Sequence, residues 1–402
     1  MIGAGVFTTS GFALADLGSP ERVMLAWLIG GVIALCGAAS YAGLAHAMTE
    51  SGGEYLFLSR VIHPAAGFVA GWVSLLAGFT GAIAFAALAF EEYLRPLVGS
   101  RLPPGLAAIT LIIFSALLHG FRVGAGAKTQ NLLVCAKITL LTIFVVFAVA
   151  THPEKVAEVV VPAPFSAPVF ASALVWIALS YSGFNAAVYV AGESHDPQRA
   201  VPRALLIGTG LVTVLYLAFN AVIVYLPAFS AVAGRADVAA AAAQAIGGTD
   251  AARLVRLIIL LALITSVTSM TMAGPRVYAK MAQDGLMPAR LRPKDQVPRM
   301  AILLQCVLAI VFILISDLRN LLSYLGFTLS LSAALTVACV FRLRFRQTAD
   351  NVAVWGYPMT PVIFITASIL LALIAATENP LEFLAALITI GSGLAIYAVI
   401  KF

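Results

Sequence analysis

Apolar residues along this chain collect in long, nearly unbroken runs, at roughly 23–48, 65–95, 102–119, 129–150, 168–192, 202–227, 252–282, 299–316, 320–341, 359–377 and 380–400. Turns or charges separate them, as at Pro103-Pro104 and in the basic stretch from Arg290 to Arg299. A helix that crosses a bilayer needs about 20 mostly apolar residues. Strands of an outer-membrane barrel would instead alternate over about 10 residues, which these runs do not do. The pattern predicts an all-α membrane protein whose spans are these runs, preceded by a short apolar start over residues 1–17.

Composition agrees and narrows the class. Of 402 residues, 61% are hydrophobic and only 10% charged, with a mean hydropathy of +1.01. A water-soluble domain is about a quarter charged, so this chain cannot cover a solvated surface of its own size. Cys36, Cys135, Cys306 and Cys339 all fall inside apolar runs without metal-ligand spacing and read as small core residues. No basic segment precedes the apolar start, so it does not read as a signal peptide. The net charge of +6 is a topology signal and implies no nucleic-acid partner. With the Gly18–Arg22 turn placed outside, fourteen Lys and Arg residues fall in inner loops and eight in outer ones. That orientation makes a multi-pass protein of the plasma (inner) membrane with its C-terminus in the cytoplasm.

Two segments carry features that a lipid-facing helix does not use. Ile2-Gly3-Ala4-Gly5-Val6-Phe7 opens the chain, and Ser180-Tyr181-Ser182-Gly183-Phe184-Asn185 lies within the run 168–192. Glycine lets a helix open there and frees backbone N–H and C=O groups. Unpaired in hydrocarbon, each such group costs several kcal/mol, so a break survives only where it lines a cavity or meets a ligand. Counting the opening segment as helix 1 makes the other helix 6. Each break then starts a five-helix block, and an odd number of spans inverts the second block relative to the first. Secondary transporters are built this way, with broken helices meeting near the bilayer midplane. The N-terminal end of a half-helix attracts a carboxylate and the C-terminal carbonyls of another attract an ammonium. Together they suit a zwitterionic amino acid.

The motifs also resemble those of the amino acid–polyamine–organocation superfamily of permeases. The resemblance rests on the glycine signature Ile2–Phe7 and on Glu50-Ser51-Gly52-Gly53-Glu54-Tyr55 with Phe57-Leu58-Ser59-Arg60. It extends to Tyr181–Asn185 with Glu193 and Asp196–Ala204, and to Gly274-Pro275-Arg276-Val277-Tyr278 with Asp284–Pro288. It implies two inverted repeats, at 1–150 (a truncated helix 1, then helices 2–5) and 151–346 (helices 6–10), followed by helices 11 and 12 at 347–402. It implies a substrate carboxylate on the amides of Ala4, Gly5 and Val6, beside Gly3. The substrate amine would meet carbonyls around Met1, Leu179 and Ser182, with Gly183 and Phe184 completing the site. Relatives carry a half-helix before the glycine signature. The first half of helix 1 is therefore expected to be missing here, and the chain as written to transport poorly next to an N-terminally extended form.

Lys137 lies about nine residues into helix 5. A central charge costs roughly 2.5–3.5 kcal/mol on insertion scales, and snorkelling along its stem is the plain alternative. Several members of the family carry lysine at the matching position. The resemblance implies that its ammonium stands where sodium stands in sodium-coupled relatives, bracing helix 5 against helices 1 and 8, with Thr268 and Ser269 facing it. Sodium-independent transport follows, by proton coupling or by exchange.

Other signals carry less. Gly124-Ala125-Gly126-Ala127-Lys128-Thr129 lacks the glycine that a phosphate loop places before its lysine, and no strand precedes it. The histidines are scattered without metal spacing, so neither cofactor nor metal is expected. No nucleophile–base or paired-carboxylate constellation lies at midplane depth, which argues against an enzyme. Ala239–Ala245 reads as a short surface helix over the outside. Neither broken motif holds a charged side chain, which favours a neutral amino acid over a cationic or acidic one. A polyamine permease is the rival within the class, separable by putrescine competition. A channel or a non-transporting receptor is the rival outside it.

Overall fold

The structure, a computed structural model, describes residues 2–99, 102–121, 127–151, 164–292, 297–346 and 353–401. Among them every regular element is helical. In order they are α1 (Ala4–Leu17), α2 (Pro20–Ala47), α3 (Gly53–Val61), α4 (Pro64–Val73), a π-helical stretch (Ser74–Gly81) and α5 (Ala82–Val98). Then come α6 (Leu106–Phe121), α7 (Ala127–Ala150), α8 (Ala167–Tyr181), a 3₁₀ helix (Ala186–Glu193), α9 (Pro197–Tyr225), α10 (Phe229–Val232) and α11 (Val238–Gln283). After a short 3₁₀ turn (Ala289–Leu291) follow α12 (Arg299–Ile315), α13 (Leu318–Arg346), α14 (Met359–Ala375) and α15 (Pro380–Lys401). Among the described residues, six helices are long and apolar enough to cross a membrane, and five shorter apolar ones accompany them. The protein is a multi-pass integral membrane protein.

Local chemistry sets the helix starts. Ser19 caps α2 by accepting the Arg22 amide at 3.3 Å, with Pro20 in the first turn and Glu21 beside it at the positive end. His63 and Pro64 open α4 in the same manner, His63 Nδ1 accepting the Ala65 amide at 3.1 Å.

Two apolar runs fold differently from plain spans. The run 168–192 is divided: α8 stops at Tyr181, a turn follows, and the chain resumes as a 3₁₀ helix. The run 252–282 belongs to the longer α11, which changes direction at Gly248 (φ 72°, ψ −164°). The expected surface helix around Ala239–Ala245 is the start of α11, and only its end at Gln244 and Ala245 is exposed. Ala239 to Ala243 are all 7% exposed or less, because their small side chains let this segment lie directly on the helices beneath.

Helices α1, α2, α8 and α9 form one tightly joined unit. Trp27, Tyr181 and Tyr216 meet with ring centroids 5.6, 5.5 and 5.2 Å apart. Gly30 and Gly31 of α2 leave room for Ile177, Tyr181 and Thr213, which would stand within 2.5–3.0 Å or so of added Cβ atoms. Trp27 Nε1 donates to Ser10 Oγ at 2.8 Å, and Ser10 donates on to Asn220. Helices α5, α6, α11, α12 and α13 pack beside this unit. Helix α3 marks one end of the molecule, and α10 with the start of α11 marks the other.

Candidate functional site

Helix α1 begins at Ala4 with Gly3 extended at its N-cap and no side chain capping it. The amides of its first turn, including Ala4, Gly5 and Val6, therefore have no carbonyl of their own helix to bond. Helix α8 ends at Tyr181, where Gly183 takes φ 87°, a left-handed conformation that side-chain-bearing residues avoid. Its last carbonyls are only partly used. The Ser182 amide donates to Leu179 O at 2.9 Å, and the Tyr216 hydroxyl to Ser180 O at 3.4 Å.

These two ends lie against each other. A Cβ on Gly5 would fall 2.5 Å from Ser180 Oγ and 2.8 Å from Ser180 Cα, so the contact requires glycine. Thr9 Oγ1 and Ser180 Oγ share a hydrogen bond of 3.0 Å one turn along. A partial positive helix terminus thus adjoins a partial negative one, both inside the protein, where charge–dipole interactions are stronger than in water. That arrangement can hold a carboxylate at one pole and an ammonium at the other.

Tyr216 of α9 was not singled out by the sequence. Its hydroxyl donates to Ser180 O at the end of α8 and lies beside Gly3 at the start of α1, so one side chain adjoins both helix ends. The only trace in the sequence is a polar-tipped aromatic inside an apolar run.

Among the residues predicted to form the site, Gly3, Ala4, Gly5 and Val6 lie at the start of α1 and Leu179, Ser182 and Gly183 at the end of α8 and in the turn after it, the two segments touching through Gly5 and Ser180. Met1 lies outside the described residues. Phe184 turns elsewhere: its ring packs on Tyr41 (5.3 Å) and Phe364 (5.9 Å), against the open side of Gly37, between α2 and α14. The turn at Gly183 swings the chain so that this side chain leaves the α1 side.

Lys137 of α7 meets α11 through Ser266, Nζ to Oγ at 3.5 Å. The residues expected to face it do not make that bond. Thr268 stands two positions on, across the helix, and donates to Thr265 O at 3.1 Å; Ser269 donates to the same carbonyl at 2.6 Å. No hydrogen bond from Lys137 reaches α1 among the described residues.

Above this junction, the α10 end is sealed. The Gly234 amide donates to Gly11 O at 2.7 Å, and a Cβ on Gly11 would fall 2.0 Å from Arg235 O. The Tyr93 hydroxyl donates to Phe7 O at 2.6 Å and accepts the Ala239 amide at 3.3 Å, joining α5, α1 and α11. Asp237 pairs with both Arg235 and the nearly buried Arg256, which fixes the start of α11 in place.

Comparison with known proteins follows the same lines. The model of the amino acid permease family matches residues 1–400. The chain is 26% identical over 378 residues to the serine/threonine exchanger SteT of Bacillus subtilis, covering 92% of this chain and 86% of that one. It is 26% identical over 371 residues to the large neutral amino acids transporter small subunit 2 of Rattus norvegicus, covering 86% and 68%. Against the b(0,+)-type amino acid transporter 1 of Mus musculus the identity is 25% over 415 residues, covering 99% and 84%.

Proposed function

The chain belongs to the amino acid permease family, and on that premise we propose that it carries neutral α-amino acids by alternating access, gripping them at the junction of α1 and α8. The observation that carries this reading is the contact of Gly5 with Ser180, which sets an uncapped helix N-terminus against a helix C-terminus. The substrate carboxylate takes the amides of Ala4, Gly5 and Val6. Its ammonium takes carbonyls near Leu179 and Ser182, and both displace the Tyr216 hydroxyl from its double contact.

Neutral specificity is supported by chemistry and by kinship. Neither Ile2–Val6 nor Leu179–Phe184 contains a charged side chain, and two relatives are named for serine/threonine and for large neutral amino acids. Sodium independence is supported by Lys137, whose ammonium ties α7 to α11 and leaves no need of a metal cation there. The chain divides in this reading into inverted repeats at 1–150 and 151–346, with 347–402 as added helices. The joined unit of α1, α2, α8 and α9 rocks against the rest. By the distribution of Lys and Arg the α3 end and the C-terminus face the cytoplasm of the plasma (inner) membrane.

Counterflow in proteoliposomes with a panel of amino acids tests the proposal. Neutral amino acids should exchange, and putrescine should not compete. Imposing a sodium gradient should leave the rate unchanged; strict sodium dependence would remove the role given to Lys137. Lys137→Ala should insert normally and lose about tenfold in rate, which corresponds to about 1.4 kcal/mol in the barrier.

A further inference from the structure

Glu54 stands at the start of α3, 5% exposed, with its side chain directed into the protein. Gly52 (φ 148°) and Gly53 (φ 57°) turn the chain inward just before it, and the Tyr189 ring occupies the place a Gly53 Cβ would take, 2.3 Å away. Three donors converge on its carboxylate. Tyr41 Oη (2.6 Å) and Asn185 Nδ2 (3.0 Å) bond Oε1, and Ser332 Oγ (3.0 Å) bonds Oε2. Tyr41 belongs to α2 and Asn185 to the turn just beyond the α8 break, whereas Ser332 comes from α13. The carboxylate therefore joins the unit that carries the break to a helix outside it.

The surrounding groups do not neutralise this charge. From α2 it faces Tyr41, from the 3₁₀ helix Tyr189, and from α13 Cys339, beyond which lies Arg342. On its own helix, Tyr55 turns to Asp284 at 2.7 Å and Arg60 pairs with Glu50. Helix α4 has no titratable side chain. No salt bridge reaches Glu54 among the described residues. Burial accordingly raises its carboxyl above the ordinary carboxylate range, and the hydrogen bonds from Tyr41, Ser332 and Asn185 only partly oppose that.

Two of the three partners are hydroxyls, which donate to a carboxylate and equally accept from a carboxylic acid. Asn185 donates in either case. The site thus keeps its hydrogen bonds in both protonation states as long as it stays dry. Separation of α2 and the α8 turn from α13 would admit water, restore an ordinary carboxyl and release the proton.

We propose that Glu54 is a proton-binding site, loaded from the α3 side, whose occupancy holds that side closed and so couples opening to deprotonation. This rests on the alternating-access reading above. The sign follows from linkage: the closed state binds the proton more tightly, so acid favours closure, and rising pH favours opening.

Counterflow at matched internal and external pH, from about 8 down to about 5, covers the range above the ordinary glutamate value of about 4.3. The unsubstituted protein should slow by about tenfold at the acid end. Glu54→Gln, fixed in the neutral form, should be slow throughout and show no remaining pH response. Tyr41→Phe removes a donor that favours the charged form, so its midpoint should move to higher pH. A Gln variant with the unsubstituted pH profile would overturn the proposal. So would a Tyr41→Phe midpoint that stays or falls, which decides the matter should the Gln variant not fold. Absence of counterflow by the unsubstituted protein at every pH would defeat the carrier reading instead. Infrared titration then decides for Glu54: a carboxylic-acid band that titrates in the unsubstituted protein and vanishes in Glu54→Gln supports the site, and an unaltered spectrum refutes it.

Discussion

Gly5→Val should lower counterflow by more than about a hundredfold, some 2.7 kcal/mol in the barrier, while the protein still reaches the membrane. The first added carbon would stand 2.5 Å from Ser180 Oγ and 2.8 Å from Ser180 Cα. The second of these is backbone and cannot rotate away. Ser180 Oγ is itself bound to Thr9 Oγ1 and to Trp176 O at 3.1 Å, so its rotamer is also held. Helix α1 must then move off α8, and overpacking of that kind costs about 1–3 kcal/mol. The branch also screens the amides that seat the carboxylate. Gly5→Ala should be intermediate, and Gly5→Ala with Ser180→Gly should recover part of the loss, since the two residues share one contact. Equal defects in Gly5→Ala and in the double variant would show that the clash with the Ser180 side chain is not the cause.

Gly183→Val should be nearly as damaging, again about a hundredfold in rate, and should also lower the thermal midpoint by several degrees. At φ 87° a side-chain-bearing residue pays about 1–3 kcal/mol, and a β-branched one the most. The strain relaxes only if the turn rewinds, which draws Asn185 from its 3.0 Å bond with Glu54 and re-aims the end of α8. Asn tolerates the left-handed region better than other residues, so Gly183→Asn should retain more activity than Gly183→Ala. The reverse order would show that Gly183 is there for close packing and not for its dihedral angle.

The fold was legible because hydrocarbon imposes a simple rule on the chain: most apolar runs emerged as helices with ends set by residues such as Ser19 and Pro20. What stayed hidden depends on neighbours. The π-helical stretch at Ser74–Gly81 lies in an apolar run indistinguishable from an ordinary helix. Ala239–Ala243 reads as a surface helix until α11 is seen lying on α1 and α5. In the site, the glycines could be read because a missing side chain is itself a signal. Ser180 and Tyr216, 36 residues apart, could not, since nothing in either run shows that they meet. Phe184 was assigned to the ligand from its place in a motif, yet the turn it follows sends its ring to α14. Thr268 lies two residues beyond Ser266, which carries it to another face of α11, whereas Ser269, three residues beyond, shares the face of Ser266. Glu54 sits in a segment between spans, and such segments ordinarily read as solvated; two glycines turned inward make it otherwise.

A structure with a bound neutral amino acid would test the central claim most directly. The expected complex has the carboxylate within hydrogen-bonding distance of the Ala4–Val6 amides, the ammonium on carbonyls at the end of α8, and the Tyr216 hydroxyl drawn off one of its two contacts. An amino acid seated elsewhere, with Gly5 still closed on Ser180 and the α8 terminus untouched, would contradict it.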